Sequence, residues 1–151
     1  MGRNDMGGHP WQYFVSYEAN LDKCLQDLRE REFAAGRYNP AERFPNFPVN
    51  LGHKPGAKHA SIAAARKAAS ADGTRSILDI ERIADRPDFF AVAPLDEDEL
   101  IAWFGSDKPT RADIEANDEF LEEIERGQGV YVVAYENGTP SAVMFAGYSF
   151  D

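Results

Sequence analysis

The sequence predicts an α+β sandwich, a mainly antiparallel sheet of about five strands packed with about four helices. Three observations carry this. "VYVVAYENGTPSAVMFAGYSF" (130–150) sets two nearly continuous apolar runs on either side of Asn137-Gly138, the strongest short hairpin signal. "WQYFVSY" (11–17) has the aromatic and β-favouring content of a strand. Between them the segments run strand, helix, loop, helix, strand, strand, helix, helix, without the regular alternation of a parallel fold. The 151 residues suit one domain, expected over 11–151 behind a flexible N-terminal segment 1–10.

The elements follow in order. In the first strand Trp11, Tyr13 and Tyr17 share one face, and Gln12, Phe14 and Ser16 the other. Asn20 is placed to cap a helix in which Leu21, Cys24, Leu25 and Leu28 recur at helical spacing. Gly36 is its stop. "SIAAARKAASADG" (61–73) is an alanine-rich helix, opened by Ser61 and closed by Gly73. "TRSILDI" (74–80) is expected as a strand with Ser76, Leu78 and Ile80 on one face, and "DFFAVAPL" (88–95) as a buried strand. Asp96 and Glu99 form a capping-box pair ahead of "LIAWF", which Gly105 ends. Thr110 and Asp113 cap one long helix, "RADIEANDEFLEEIER" (111–126), with Ile114, Leu121 and Ile124 facing inward; Gly127 and Gly129 end it. The hairpin strands, apolar on both faces, belong at the centre of the sheet, covered on each side.

"GRYNPAERFPNFPVNLGHKPGAKH" (36–59) has neither period, but four prolines, three aromatics and two histidines. A loop this long is usually functional or disordered. Tyr38, Phe44 and Phe47 argue for order, since disordered segments are poor in aromatics. The expectation is one long ordered loop carrying Arg37, Arg43, Lys54 and Lys58 on a fixed platform, which docks on the acidic half or rims a pocket.

Charge is unevenly placed. The net charge of −10 divides into −2 over residues 1–35, +5 over 36–75 and −13 over 76–151. An acidic surface repels nucleic acid at long range, which argues against general DNA or RNA binding. A local basic patch facing one small anion stays open. There is no 18-residue apolar run, so no membrane span is expected. "MGRNDMGGHP" has no apolar core of a secretory signal, and the single Cys24 forms no internal disulfide. A reducing cytoplasm fits.

No motif names a reaction. "GHKPGAKHAS" (52–61) lacks the Gly-x4-Gly-Lys-Ser/Thr spacing and the preceding strand of a phosphate loop. The weaker reading is an anion at the helix opened by Ser61, beside Lys58 and His59. Arg75 could hold a phosphate or carboxylate in a bidentate contact, or pair with the chain's own acids. His53 and His59 read as loop histidines and Cys24 as a small buried hydrophobe. No cofactor or metal is implied; "LDEDEL" (95–100) reads as acids at a helix start, where the dipole favours them. In the 111–126 helix Glu115, Glu119 and Glu123 stack at i, i+4, as do Asp118 and Glu122. Each like-charge pair costs about 0.2–0.5 kcal/mol. A solvated face tolerates that, and so does a surface that receives a basic partner.

"HPWQYFVSY", "LREREFAAGRYNP" and "GTRSILDIERI" resemble segments of small stand-alone bacterial proteins of unassigned function. The resemblance implies a bacterial cytoplasm and no chemistry. Three functions remain in view. The first is an acidic binding protein that docks a basic protein partner, in the manner of an immunity protein, antitoxin or regulator, with Glu115, Glu119, Glu122 and Glu123 at the interface. The second is an enzyme or sensor that binds a nucleotide or phosphorylated small molecule through Arg37, Tyr38, Arg43, Lys58, His59, Ser61 and Arg75. The third is a homo-oligomeric structural subunit with the terminal hairpin as interface.

Overall fold

The computed structural model describes residues 9–39, 59–71 and 73–150. The chain is α+β. Its elements are β1 (Pro10–Ser16), α1 (Leu21–Ala35), α2 (Ile62–Ala68), β2 (Arg82–Ile83), β3 (Ala91–Pro94), α3 (Glu97–Phe104), α4 (Arg111–Glu115), β4 (Gly129–Glu136) and β5 (Thr139–Tyr148), with 3₁₀ turns at Ile77–Asp79 and Glu119–Glu123. The sheet order is β1-β5-β4-β3-β2. β5 pairs antiparallel with both β1 and β4, whereas the β4–β3 and β3–β2 pairings are parallel but only two or three residues long. Most of the ladder is therefore antiparallel, as expected.

Alternation along β5 divides the core into two layers. Val143 and Phe145 face one way, with Trp11, Leu25, Leu28, Ile77 and Leu78. Met144, Ala146 and Tyr148 face the other, with Ile114, Phe120 and Ile124. Over residues 143–148 β5 is covered on both sides, which is why that stretch is free of charged residues. At the hairpin tip Asn137 and Gly138 both take positive φ, 54° and 79°. Those are the signs a type I′ turn needs to match the strand twist.

Local capping works as the sequence implies. The Asn20 side chain accepts from Lys23 N at 3.1 Å, and Gly36 closes α1 at φ 73°. Asp96 with Glu99, and Thr110 with Asp113, form reciprocal capping boxes.

Three expectations are corrected. Residues 74–80 are not a strand. The Ser76 hydroxyl accepts from Leu78 N and Asp79 Oδ1 from Thr74 N, at 3.1 and 2.7 Å, and these local bonds win over a ladder. Arg75 takes φ 57°, and Ile77, Leu78 and Ile80 are all buried, a pattern no half-covered strand allows.

The single helix over 111–126 is two pieces. Asn117 breaks it: Nδ2 donates to the Trp103 carbonyl at 2.6 Å and Oδ1 accepts from Glu119 N at 3.0 Å. Glu115, Glu119 and Glu123 therefore form no continuous i, i+4 stack, and Phe120 rather than Leu121 is the deeply buried anchor. The helix expected over 61–73 ends at Ala68. Residues 40–58, most of the loop expected to be ordered, lie outside the described residues, as do residues 1–8 of the N-terminal segment.

One row across the sheet holds Trp11, Gly147 and Gly129 as register partners. The indole lies across the bare backbone of both glycines. A Cβ at Gly147 would stand 2.5 Å from Trp11 Cζ2, and one at Gly129 3.0 Å from Cη2. Here glycine serves close approach rather than a turn.

Candidate functional site

The residues expected to hold an anion do not act alike. Arg37 grips Glu32 in a two-pronged pair, Nε to Oε1 at 2.9 Å and Nη2 to Oε2 at 2.8 Å. Glu32 is buried at the end of α1, so Arg37 neutralises the chain's own carboxylate. That contact raises its pKa. Tyr38 is buried, stacks on Phe33 at 5.9 Å, and its hydroxyl meets His59 Nδ1 at 2.8 Å. Ser61 accepts from Ala64 N at 3.1 Å, capping the seven-residue α2. Ser61 also lines a cleft with Arg29 and Arg66, where burial first, and then Arg66, lowers the Arg29 pKa. Arg75 is half-buried in its left-handed conformation. Arg43 and Lys58 lie outside the described residues. Cys24 is buried on α1 with its thiol pKa pushed up by burial, as a small hydrophobe behaves.

Under this region lies a polar knot that sequence reading missed. Asp79 Oδ1 accepts from Thr74 N at 2.7 Å, and Oδ2 from Ser149 Oγ at 2.6 Å. The Tyr13 hydroxyl accepts from Ile77 N at 3.3 Å. Seventy residues separate Asp79 from Ser149, so no local pattern announces the pair. Burial pushes the Tyr13 phenol up to about 12 from 10.0. Its folded pKa is raised, so the associated stability is present below pH 10 and lost as pH rises toward 12. Two pKa units correspond to at most about 2–3 kcal/mol. Alkaline unfolding should show the effect: wild type loses stability more steeply from pH 10 to 12 than Tyr13→Phe does. Parallel profiles would mean that Tyr13 does not govern the transition.

The acidic residues, by contrast, are concentrated in one layer. Residues 96–125 contain twelve acidic and two basic residues, a net −10 equal to that of the whole chain. All of them sit on the layer made by α3, α4 and the 119–123 turn with its flanks, which covers one face of the sheet. Glu119, Glu122 and Glu123 are exposed on the turn. Glu115 is exposed on α4 and pairs with Arg111 at 3.3 Å, whose guanidinium lies 4.2 Å over the Phe14 ring.

The layer encloses a groove of about 310 Å³. Leu95, Trp103, Phe120 and Ile124 supply its apolar walls, and Glu99, Glu123 and Glu125 its carboxylates. The fold positions these groups through the Asp96–Glu99 box, which sets the start of α3, and through Asn117, which ties the 116–118 break to Trp103. Trp103 and Phe120 went unrecognised as site residues in the sequence. The signal for Trp103 was the apolar spacing of Leu100, Trp103 and Phe104, which reads equally as core.

Among the described residues no group of three or more His, Cys, Asp or Glu is placed to hold a metal ion, and no helix is long and apolar enough to cross a membrane. No family model, curated protein or solved structure matches the chain.

Proposed function

We propose that this chain is a small acidic binding module that docks a basic protein partner on the face built from α3, α4 and the 119–123 turn, as an immunity protein, antitoxin or regulator does. The observation that carries the reading is the coincidence of the −10 span with an apolar groove whose walls bear carboxylates. The two features divide the work. Concentrated negative charge steers a basic partner and speeds encounter. The groove then takes a lysine or arginine side chain, its aliphatic stem against Phe120 and Leu95 and its cation over Trp103 and beside Glu99. The break at Asn117 supports this, because Glu119, Glu122 and Glu123 then fall, all exposed, within one five-residue turn.

Anion binding by Arg37 and Ser61 has less support, since Arg37 is held by Glu32 and Ser61 by its own helix. A homo-oligomer built on the hairpin is also less favoured: from residue 142 to 147, β5 is flanked on both sides by β1 and β4.

The test compares two triple reversals of equal net charge in capture from bacterial lysate. Glu119→Lys/Glu122→Lys/Glu123→Lys changes the proposed face, and Glu18→Lys/Asp22→Lys/Glu30→Lys changes the surface around α1. Wild type and the α1 variant should retain a basic protein at low salt. The face variant should bind it about tenfold more weakly or worse, mostly through slower association. Equal capture by both variants would reject the face.

A further inference from the structure

Another concave site, of about 240 Å³, is lined among others by Arg66, Lys67, Gly73, Asp79, Phe90 and Phe150. Nothing in the acidic-face reading uses it. Phe89 is 51% exposed and Phe150 37%, two of the three large hydrophobics that stand exposed among the described residues. With Phe90 they form a ring cluster whose centroids lie 5.9–6.3 Å apart. Aromatic surface left in water at the mouth of a pocket is a mark of binding sites.

The backbone is bent to build this pocket. Phe90 has φ 61°, an outlier for a bulky side chain. It is clamped there by Phe90 N donating to the Gly127 carbonyl at 2.8 Å and by Glu81 N donating to the Phe90 carbonyl at 2.7 Å. Gly127 and Gly73, at φ 79° and 85°, leave room for what lies over them. A Cβ at Gly127 would meet Phe150 Cζ at 2.5 Å, and one at Gly73 would stand 2.9 Å from Asp79 Oδ2. Strained residues held in place by their surroundings cluster at functional sites.

The chemistry of the lining selects a ligand. Phe90 and Phe150 offer aromatic surface to a planar ring. Asp79 is an oriented acceptor, fixed by Thr74 N and Ser149 Oγ, and each carboxylate oxygen can accept a second donor. Arg66 lies 5.3 Å over the Phe90 ring while bound to Glu81, and exposed Lys67 stands one residue further along α2. The ligand is thus a flat heterocycle with an N–H edge and an anionic tail. The volume lies below the range of drug-sized sites, so the pocket holds the heterocycle while the tail lies outside it, on the exposed surface of α2. We propose that this pocket binds a single mononucleotide, its base against Phe90 and Phe150 with an N–H on Asp79, and its phosphate on Lys67.

Calorimetric titration of the full chain with the four ribonucleoside monophosphates, the four nucleosides and inorganic phosphate tests this. At least one monophosphate should bind saturably at millimolar concentration or below, and inorganic phosphate far more weakly. Phe150→Ala removes an exposed ring and should weaken the monophosphate about tenfold or more, the scale of a lost base–aromatic stack. Lys67→Glu, on the exposed surface of α2, should weaken the monophosphate and leave its nucleoside unchanged. If Phe150→Ala fails to fold, the Lys67→Glu contrast decides. The proposal is overturned if no monophosphate binds, if inorganic phosphate binds as well as the nucleotides, or if Lys67→Glu does not separate nucleotide from nucleoside.

Discussion

Phe120→Ala should destabilise the chain by about 3–5 kcal/mol, the cost of truncating a fully packed aromatic. For a chain of this length that lowers Tm by roughly 6–20 °C. Phe120 is 2% exposed and packs edge-to-face on Phe104 with centroids 5.2 Å apart. It anchors a layer with little intrinsic stability. α4 and the 119–123 turn are five residues each, far below the length at which a helix persists alone. The damage should therefore be local. Hydrogen exchange should speed up through residues 111–124, while the β4–β5 ladder stays protected. Partner capture should fall with it, because Phe120 is also a wall of the groove. Phe120→Leu, which keeps most of the volume, should recover most of both. A loss below about 1 kcal/mol, or exchange that rises uniformly, would show that the layer does not hang on this ring.

Gly147→Ala should cost about 3 kcal/mol, the upper end of overpacking penalties. The new methyl would stand 2.5 Å from the Gln128 carbonyl oxygen and 2.5 Å from Trp11 Cζ2. The first contact is with backbone and cannot swing aside. The second is with an indole that is itself buried and covers Gly129 as well. The strands must separate or the indole must leave. Tryptophan emission should shift to the red, and the urea midpoint should fall. Combined with Trp11→Ala the change should be less than additive, since the alanine would then meet one obstacle instead of two. Full additivity in the cycle would place the strain elsewhere.

Much of the fold was legible because it is decided locally. Asn20, Asp96 and Thr110 each satisfy helix N–H groups within three residues, so a short motif was enough to find them. Asn137-Gly138 can both adopt positive φ, and the apolar runs on either side are the two adjacent strands β4 and β5, with β5 buried on both faces over 143–148. The misreadings occurred where a side chain had two possible partners. Ser76 and Asp79 looked like residues on opposite faces of a strand but bond nearby backbone. Asn117 looked like a helical surface residue but finds the Trp103 carbonyl fourteen residues away.

The candidate sites divide in the same way. The acidic face was visible in the charge count, because electrostatics sums over residues wherever they point. The groove within it was not, because Trp103 and Phe120 meet only when two helical pieces cross one sheet. Arg37 and Glu32 are five residues apart, yet their pairing depends on Gly36 reversing the chain between them. The sequence by itself determined the class, the central hairpin, the caps and the polarity of the surface, all of which follow from local geometry and additive charge. Only the tertiary structure decided that Asp79 meets Ser149, that Phe90 and Phe150 flank a pocket, and that one indole covers two glycines. Those contacts join segments distant in the chain, and their geometry exists only once the sheet has closed.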